Sequence, residues 1–351
     1  MNYKWTLKDA VFTKDKGKVF SCFACGGGST MGYKLAGFDV LGCNEIDPKM
    51  MGAYKTNHNP KYAYLEPIQA FKLREDLPQE LYELDILDGS PPCSSFSMAG
   101  NREKDWGKEK VFREGQAEQV LDTLFFDFID LAEKLQPKVV IAENVKGLLL
   151  GGAIEYVRKI YEAFDKAGYI VQHWLLDASK MGVPQRRERV FFVALRKDLA
   201  GQFLENADLY TRVPKLTLEF NEHEIPFKDI YHNYTDRPLS DNMKKIWDLR
   251  KVGDLSFEII NEREFGKKFL HFGSKFIYQT GTINTILGND QCVLFDEPRY
   301  RNFDELCECG SYPKDYDFCD NKPQYLIGMS VPPLMTAKIA EQVYNQWLSK
   351  L

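Results

Sequence analysis

Four short segments of the 351-residue chain combine reactive side chains with backbone types that would present them. In Gly89-Ser90-Pro91-Pro92-Cys93-Ser94-Ser95-Phe96-Ser97 a thiol follows two prolines, whose fixed φ keeps the chain extended and out of a helix. Most cysteines are small buried hydrophobes. Three serines surround this one with polar groups, which makes Cys93 a candidate nucleophile once its thiol, of ordinary pKa about 8.5, is ionised. Glu143-Asn144-Val145 supplies a carboxylate that, taken alone, reads first as a helix N-cap. In Gln185-Arg186-Arg187-Glu188-Arg189 an extended backbone puts Gln185, Arg187 and Arg189 on one face. Two guanidiniums there suit a phosphate or a carbonyl oxygen, although a basic run is more often a solvated surface. The small residues Cys25-Gly26-Gly27-Gly28-Ser29-Thr30 let the backbone approach a ligand and leave helix N–H groups for it, or serve only as a packing turn. Glu45 lies about 20 residues past that turn, where a carboxylate meets ribose hydroxyls in dinucleotide-type folds.

Each segment adjoins an element that would hold it. The apolar run Val19–Ala24 reads as a strand before the glycine turn, a helix runs to Ala36 with Gly37 as C-cap, and a second strand covers Phe38–Cys43. That is a βαβ unit of nucleotide-binding type. A short strand at Asp85–Asp88 precedes the prolines, and an amphipathic helix at Leu121–Leu135 stops before Pro137. A strand at Val139–Ala142 leads into Glu143, a helix at Ile154–Ala167 ends at Gly168, and Val190–Leu195 is another buried strand. In open α/β sheets ligands bind outside the carboxyl ends of the strands, which is where Cys93 falls, while Gln185–Arg189 leads into the strand Val190–Leu195. After Arg196 the alternation stops, so three regions are expected: a core at 1–197, a smaller domain at 198–297, and a return segment at 298–351. The return segment regains helical spacing at Leu334, Ile339, Val343 and Trp347 and is expected to pack on the core.

Composition narrows the partners. Lys+Arg 46 against Asp+Glu 51 gives a formal charge of −5, so any polyanion site must be a local basic surface. No run of about 18 apolar residues suits a membrane span, and no apolar signal region follows Met1. Eight scattered cysteines read as a reducing cytosol, and a cytoplasmic protein is expected. Cys22-x-x-Cys25 lacks a second pair at zinc spacing, and Cys307, Cys309 and Cys319 lack a nearby histidine, so no metal is expected.

In order and spacing these segments resemble the C5-cytosine DNA methyltransferases: Phe23 to Gly32, Glu45, Pro92-Cys93 with Phe96-Ser97, Glu143-Asn144-Val145, Gln185 to Arg189 and Gly328-Met329-Ser330-Val331. The likeness covers about residues 19–197 and 298–345. It implies an α/β fold: a class-I S-adenosylmethionine-dependent methyltransferase (Rossmann-like) core with a smaller target-recognition domain. It implies methyl transfer from S-adenosylmethionine to C5 of a cytosine flipped out of double-stranded DNA. Cys93 would add to C6, Glu143 would act at N3, Arg189 would hold O2, and Arg187 would support a loop or a phosphate. The cofactor would contact Phe23, the turn Gly26, Gly27 and Gly28, Glu45 at the ribose, Ile46 and Ile68 at the adenine, and Pro92, Leu124 and Ser330. Ser94 to about Gly115, with Arg102, Lys104, Trp106, Lys108, Lys110 and Arg113, matches a mobile loop that closes over DNA, with Gly100, Gly107 and Gly115 as hinge candidates. Its acids Glu103, Asp105, Glu109 and Glu114 nearly cancel the cations, the mark also of an ordinary charged loop.

The chain departs from that family's pattern in places. Cys25 stands at the turn's usual first glycine, Glu66-Pro67-Ile68 at Gly-Asp-Ile, Glu308-Cys309-Gly310 at Arg-Leu-Gln, and Met329 at an asparagine. None of these removes a group of the covalent step. In the expected recognition region Lys244, Lys245, Arg250, Lys251, Lys267, Lys268 and Lys275 are candidates for a groove-facing surface, and Gly253, Gly266 and Gly273 for loops near base edges. Two alternatives stay open: a tRNA-directed cytosine-5 methyltransferase, whose Cys-Phe-Thr tripeptide is absent here, and a catalytically inactive DNA-binding relative. The compact size points to a bacterial or phage source, a monomer is expected, and a restriction-modification, orphan or phage role stays open.

Overall fold

The computed structural model describes residues 1–92, 109–110, 119–120, 123–206, 208, 211–266, 274–289 and 291–351. Cys93, the 94–108 stretch, Arg113, Gly115, Lys267, Lys268 and Gly273 lie outside the described residues. The chain forms two compact units, each assembled from separate stretches.

The larger unit takes Val11–Asp177, Glu188–Phe220 and Met335–Leu351. Its centre is a seven-stranded sheet: β1 (Lys18–Cys22), β2 (Asp39–Glu45), β3 (Tyr62–Leu65), β4 (Ile86–Gly89), β5 (Val139–Val145), β6 (Tyr169–Asp177) and β7 (Glu188–Arg196). The spatial order is β3-β2-β1-β4-β5-β7-β6. β1 to β5 run parallel, and β7 runs antiparallel between β5 and β6. Order reverses between β1 and β4, which opens a crevice at their carboxyl ends.

Helices α1 (Gly28–Leu35), α2 (Pro48–His58) and α3 (Ile68–Phe71) follow the first three strands, and α4 (Leu124–Leu135) and α5 (Ile154–Lys166) flank β5. Local signals account for them. Asp47 caps α2, its carboxylate accepting from the Lys49 and Met50 N–H groups, with Pro48 at the first helical position. α4 and α5 lay Leu124, Phe125, Phe128, Leu131, Ile160 and Phe164 against Phe20, Leu87, Val140 and Phe192. The helix expected from Leu121 begins at Leu124. Glu143 and Asn144 sit inside β5 rather than past it, so the N-cap reading of Glu143 is overturned: strand pairing with Val190 and Phe191 claims this backbone. β6, an edge strand of nine residues buried only at Tyr169, Val171 and Leu176, is not among the strands expected from the sequence. α10 (Pro333–Gln346) supplies Tyr344, whose ring meets Phe38 edge-on, and Trp347 beyond it is buried and donates to the Lys215 carbonyl.

The smaller unit takes Met1–Ala10, Ala178–Arg187 and Asn221–Leu334. Its apolar centre gathers Trp247, Phe257, Ile260, Phe276, Val293 and Phe295, with α6 (Asp241–Trp247), α7 (Phe257–Phe265), α8 (Phe303–Cys309) and α9 (Pro323–Met329). These units do not follow the linear borders at 197 and 297. Residues 188–220 belong with the sheet, since β7 inserts between β5 and β6, while 178–187 and 298–334 belong with the other unit. Among the described residues no helix is long and apolar enough to cross a membrane, and no cluster of three metal-ligating side chains occurs.

Candidate active site

The glycine turn leaves β1 at Cys22 and doubles back into α1 through left-handed residues at Phe23 (φ 53), Cys25 (φ 49) and Gly27 (φ 89). A glycine adopts such angles without penalty, and a side-chain-bearing residue costs about 1–2 kcal/mol. The family's glycine thus has a physical counterpart at Cys25, which holds the same backbone at a cost. Gly27 is obligatory for a second reason: a Cβ there would stand 2.2 Å from the His58 Nε2. That histidine is buried, its pKa pushed down to about 3 by burial, with the Lys34 charge adding, and its Nε2 lies 3.3 Å from the Gly26 carbonyl. Gly27 caps α1 with no side-chain hydrogen bond, and Gly28 opens the helix, so the first turn offers bare backbone.

Glu45 ends β2, next to β1. Its Oε2 accepts the Cys25 N–H at 2.7 Å, and its Oε1 accepts those of Ile46 and Asp47 at 2.8 and 2.9 Å. Burial raises its pKa, and these three donors oppose the shift. Glu45 therefore clamps the turn, with acceptor capacity left for a further hydroxyl. Phe23 lays its ring edge-on to Phe128 and is half-buried, as is Ile46. Ile68 and Leu124 are 2% and 0% exposed and belong to the core cluster around Phe20 and Phe128. Pro67 takes the N-cap position of α3 with no side-chain hydrogen bond, where the family carries a carboxylate.

Across the sheet, β4 delivers Gly89 and then Ser90-Pro91-Pro92 toward Cys93. Asn144 of β5 donates from Nδ2 to the Pro91 carbonyl at 3.1 Å and from β5 ties the proline segment down. The neighbouring Glu143 receives Arg189 Nε at 2.9 Å. This is a diagonal pair on adjacent strands, since Phe191 lies opposite Glu143 and Arg189 opposite Val145. Both side chains are mostly shielded, 12% and 16% exposed, and burial lowers the Arg189 pKa against the opposing pull of Glu143.

Gln185, Arg187 and Arg189, expected on one face, divide between the two units. Gln185 and Arg187 belong to the smaller unit and Arg189 to the larger. Gln185 donates to the Cys309 carbonyl at 3.1 Å and accepts the Ile286 N–H at 2.9 Å, while Arg187 donates to the Gly328 carbonyl at 3.1 Å. Arg187, 2% exposed, braces the Gly328 carbonyl from within the smaller unit. Ser330 closes α9 in the same unit and donates to the Leu326 carbonyl at 2.8 Å. Arg250, expected to face a groove, instead donates to the Phe295 carbonyl and stacks on Trp247. Lys244 is paired with Asp248 and Lys251 with Glu264. At the Glu308 departure, a fully buried carboxylate meets His232 and Lys314, each at 2.9 Å.

The family model for C-5 cytosine-specific DNA methylase matches residues 17–345, nearly the whole chain. The chain belongs to the C-5 cytosine-specific DNA methylases. Among its relatives, the type II methyltransferase M.FnuDI of Fusobacterium nucleatum is 37% identical over 182 residues, 52% of this chain and 48% of that protein. M.NgoPII of Neisseria gonorrhoeae is 32% identical over 219 residues, 62% of this chain and 57% of that protein. The chain therefore spans about half the length of these curated relatives. A crystal structure of a putative DNA modification methyltransferase encoded within an Escherichia coli prophage superposes with TM-score 0.62 at 20% identity, covering 94% of this methylase and 99% of that chain. The sheet order and this likeness give the methylase a class-I S-adenosylmethionine-dependent methyltransferase fold.

The sequence motifs did not single out Asp88, His58 and Asp47. Asp88 could have been noticed as a carboxylate interrupting a central apolar strand, Ile86-Leu87-Asp88-Gly89.

Proposed function

We propose that this methylase transfers a methyl group from S-adenosylmethionine to C5 of a cytosine flipped out of double-stranded DNA, through a transient bond from Cys93 to C6. The observation that carries this reading is the convergence at β4 and β5: Asn144 holds the Pro91 carbonyl, two residues before Cys93, while the adjacent Glu143 pairs with Arg189. Three motifs far apart in sequence thus end at neighbouring strand termini.

The donor set fits the cofactor. Bare backbone at Gly26–Gly28 suits its amino-acid portion, Glu45 has capacity for ribose hydroxyls, and Phe23 and Ile46 offer half-buried apolar surface to the adenine. When bound, it supplies an electrophilic methyl on a sulfonium sulfur. The protein's own work is to make C5 nucleophilic. The Cys93 thiolate adds to C6 and breaks the ring conjugation, which leaves C5 enamine-like. Glu143 hydrogen-bonds or protonates N3 so that the negative charge is not left on the ring, and Arg189 steadies both Glu143 and the cytosine O2. Loss of the C5 proton to a base and expulsion of the Cys93 thiolate restore the pyrimidine. The smaller unit is the proposed target-recognition domain, its residues 221–334 taking the place of the span 198–297.

The deciding experiment uses duplex DNA with 5-fluorocytosine at the target. Fluorine cannot leave as a proton, so a covalent protein–DNA adduct should persist on a denaturing gel with wild type and be missing with Cys93→Ala, which still binds cofactor. Methylation of ordinary DNA by Cys93→Ala refutes the mechanism. Bisulfite sequencing of a host expressing the protein reads out the target sequence.

A further inference from the structure

Asp88 is a carboxylate on the middle strand of a parallel sheet, 4% exposed, with Ile86 and Leu87 before it fully buried. A charge in such a place costs far more than an apolar residue of similar size unless it is hydrogen-bonded. Its two oxygens are engaged. Oδ2 accepts the Ser21 hydroxyl at 2.6 Å from the directly paired position on β1, and Oδ1 accepts the Tyr33 hydroxyl at 3.1 Å from α1.

These partners locate its job. Ser21 lies two residues before Phe23, where the chain enters the cofactor turn, and Tyr33 lies on the helix that the turn opens. Asp88 itself lies five residues before Cys93, on the strand that leads there. We propose that Asp88 is a positioning residue of the cofactor site, a buried strut that joins β1, α1 and β4 and holds the glycine turn in its ligand-ready shape. The inference rests on the cofactor reading above.

Two hydroxyls within hydrogen-bond reach can both donate only to the ionised carboxylate. A protonated Asp88 must donate its own proton, so one of the two hydroxyls has to turn away. Among the described residues the titratable groups that face Asp88 are Cys22 from β1, Tyr33 from α1, Tyr54 from α2 and Glu143 from β5. Burial raises the Asp88 pKa to about 7, the Ser21 and Tyr33 hydroxyls resist, and the Glu143 charge adds to the rise. The strut therefore changes its hydrogen-bonding pattern near neutral pH.

The test is calorimetric binding of S-adenosylhomocysteine to the full chain between pH 6 and 8, for wild type, Asp88→Asn and Tyr33→Phe. If only the ionised form is competent, wild-type affinity weakens about tenfold from pH 8 to pH 6. Asp88→Asn, nearly isosteric and uncharged, should bind weakly at every pH with a flat profile. Tyr33→Phe removes a hydroxyl that lowers the Asp88 pKa, so its transition should move to higher pH. That variant keeps the test decisive should Asp88→Asn fold poorly. A residue important only for folding would lower stability and leave the pH profile of binding where it was. Titration of the ligand is common to all three proteins and cancels in the comparison. Parallel profiles for wild type and Asp88→Asn, or a wild-type profile flat across this range, overturn the proposal alone. Absence of binding by wild type at every pH overturns it together with the cofactor reading.

Discussion

Glu143 and Arg189 occupy adjacent positions on β5 and β7, and the short bond between them gives each a fixed orientation. A neutral amide at 143 would keep the shape and one hydrogen bond while losing the ability to carry a proton to the base. Glu143→Gln should therefore lower the methyl-transfer rate constant by roughly 10²–10⁴, the range of positioned acid–base groups, with cofactor affinity unchanged. Single-turnover kinetics beside a binding titration checks this, and a near-wild-type rate would remove Glu143 from the chemistry. Arg187, two residues from Arg189, is spent on the Gly328 carbonyl. Equal residue types in one motif have taken different partners, a carboxylate for Arg189 and a backbone carbonyl for Arg187.

At the scale of elements, the glycine turn after β1 is constrained by its own backbone angles and by two side chains. Its left-handed residues are locked by the Glu45 clamp in front and by His58 behind. Two substitutions should then act in opposite directions. Gly27→Ala meets both the positive φ and the His58 ring, and should destabilise the fold by about 1–3 kcal/mol and weaken cofactor binding. Cys25→Gly relieves a left-handed side-chain residue and should stabilise by about 1 kcal/mol, less the extra entropy glycine brings to the unfolded chain. Urea unfolding of the pair measures both. Equal stability of Cys25→Gly and a Cys25→Ala control would mean that no strain is stored there.

For the whole molecule, two buried groups of the sheet unit give stability a pH dependence of opposite sign. The folded-state pKa of His58 is depressed, so its contribution is complete above the unfolded value of 6.5 and is lost as pH falls toward 3. That of Asp88 is raised, so its contribution is complete below 3.8 and is lost as pH rises through about 7. Between about pH 4 and 6.5 the two slopes cancel. Removing one unmasks the other: Asp88→Asn should gain stability over wild type on going from pH 5 to pH 7, by up to about 1.4 kcal/mol per pH unit. Denaturant midpoints across that range report it, and parallel curves would show that Asp88 is already ionised in the folded state at pH 5.

Much of this was readable in advance, for local reasons. The βαβ start, the αL turn at Gly27, the strand before Pro91-Pro92 and the buried strand at Val190–Leu195 each follow from rules acting over a few residues, such as glycine's freedom, proline's rigidity and apolar runs. The motifs named Cys93, Glu143 and Arg189 because those residue types recur in a recognisable order. Relations across the sheet were not readable. That β7 enters between β5 and β6, and so sets Arg189 diagonal to Glu143, depends on strand order, which no single segment encodes. The same order puts Ser21 opposite Asp88 and turns an odd carboxylate into a strut. Local sequence determined which groups exist and which backbone each one rides on. Tertiary pairing decided which of them meet, because hydrogen bonds and ion pairs act over about 3 Å while their owners lie tens of residues apart.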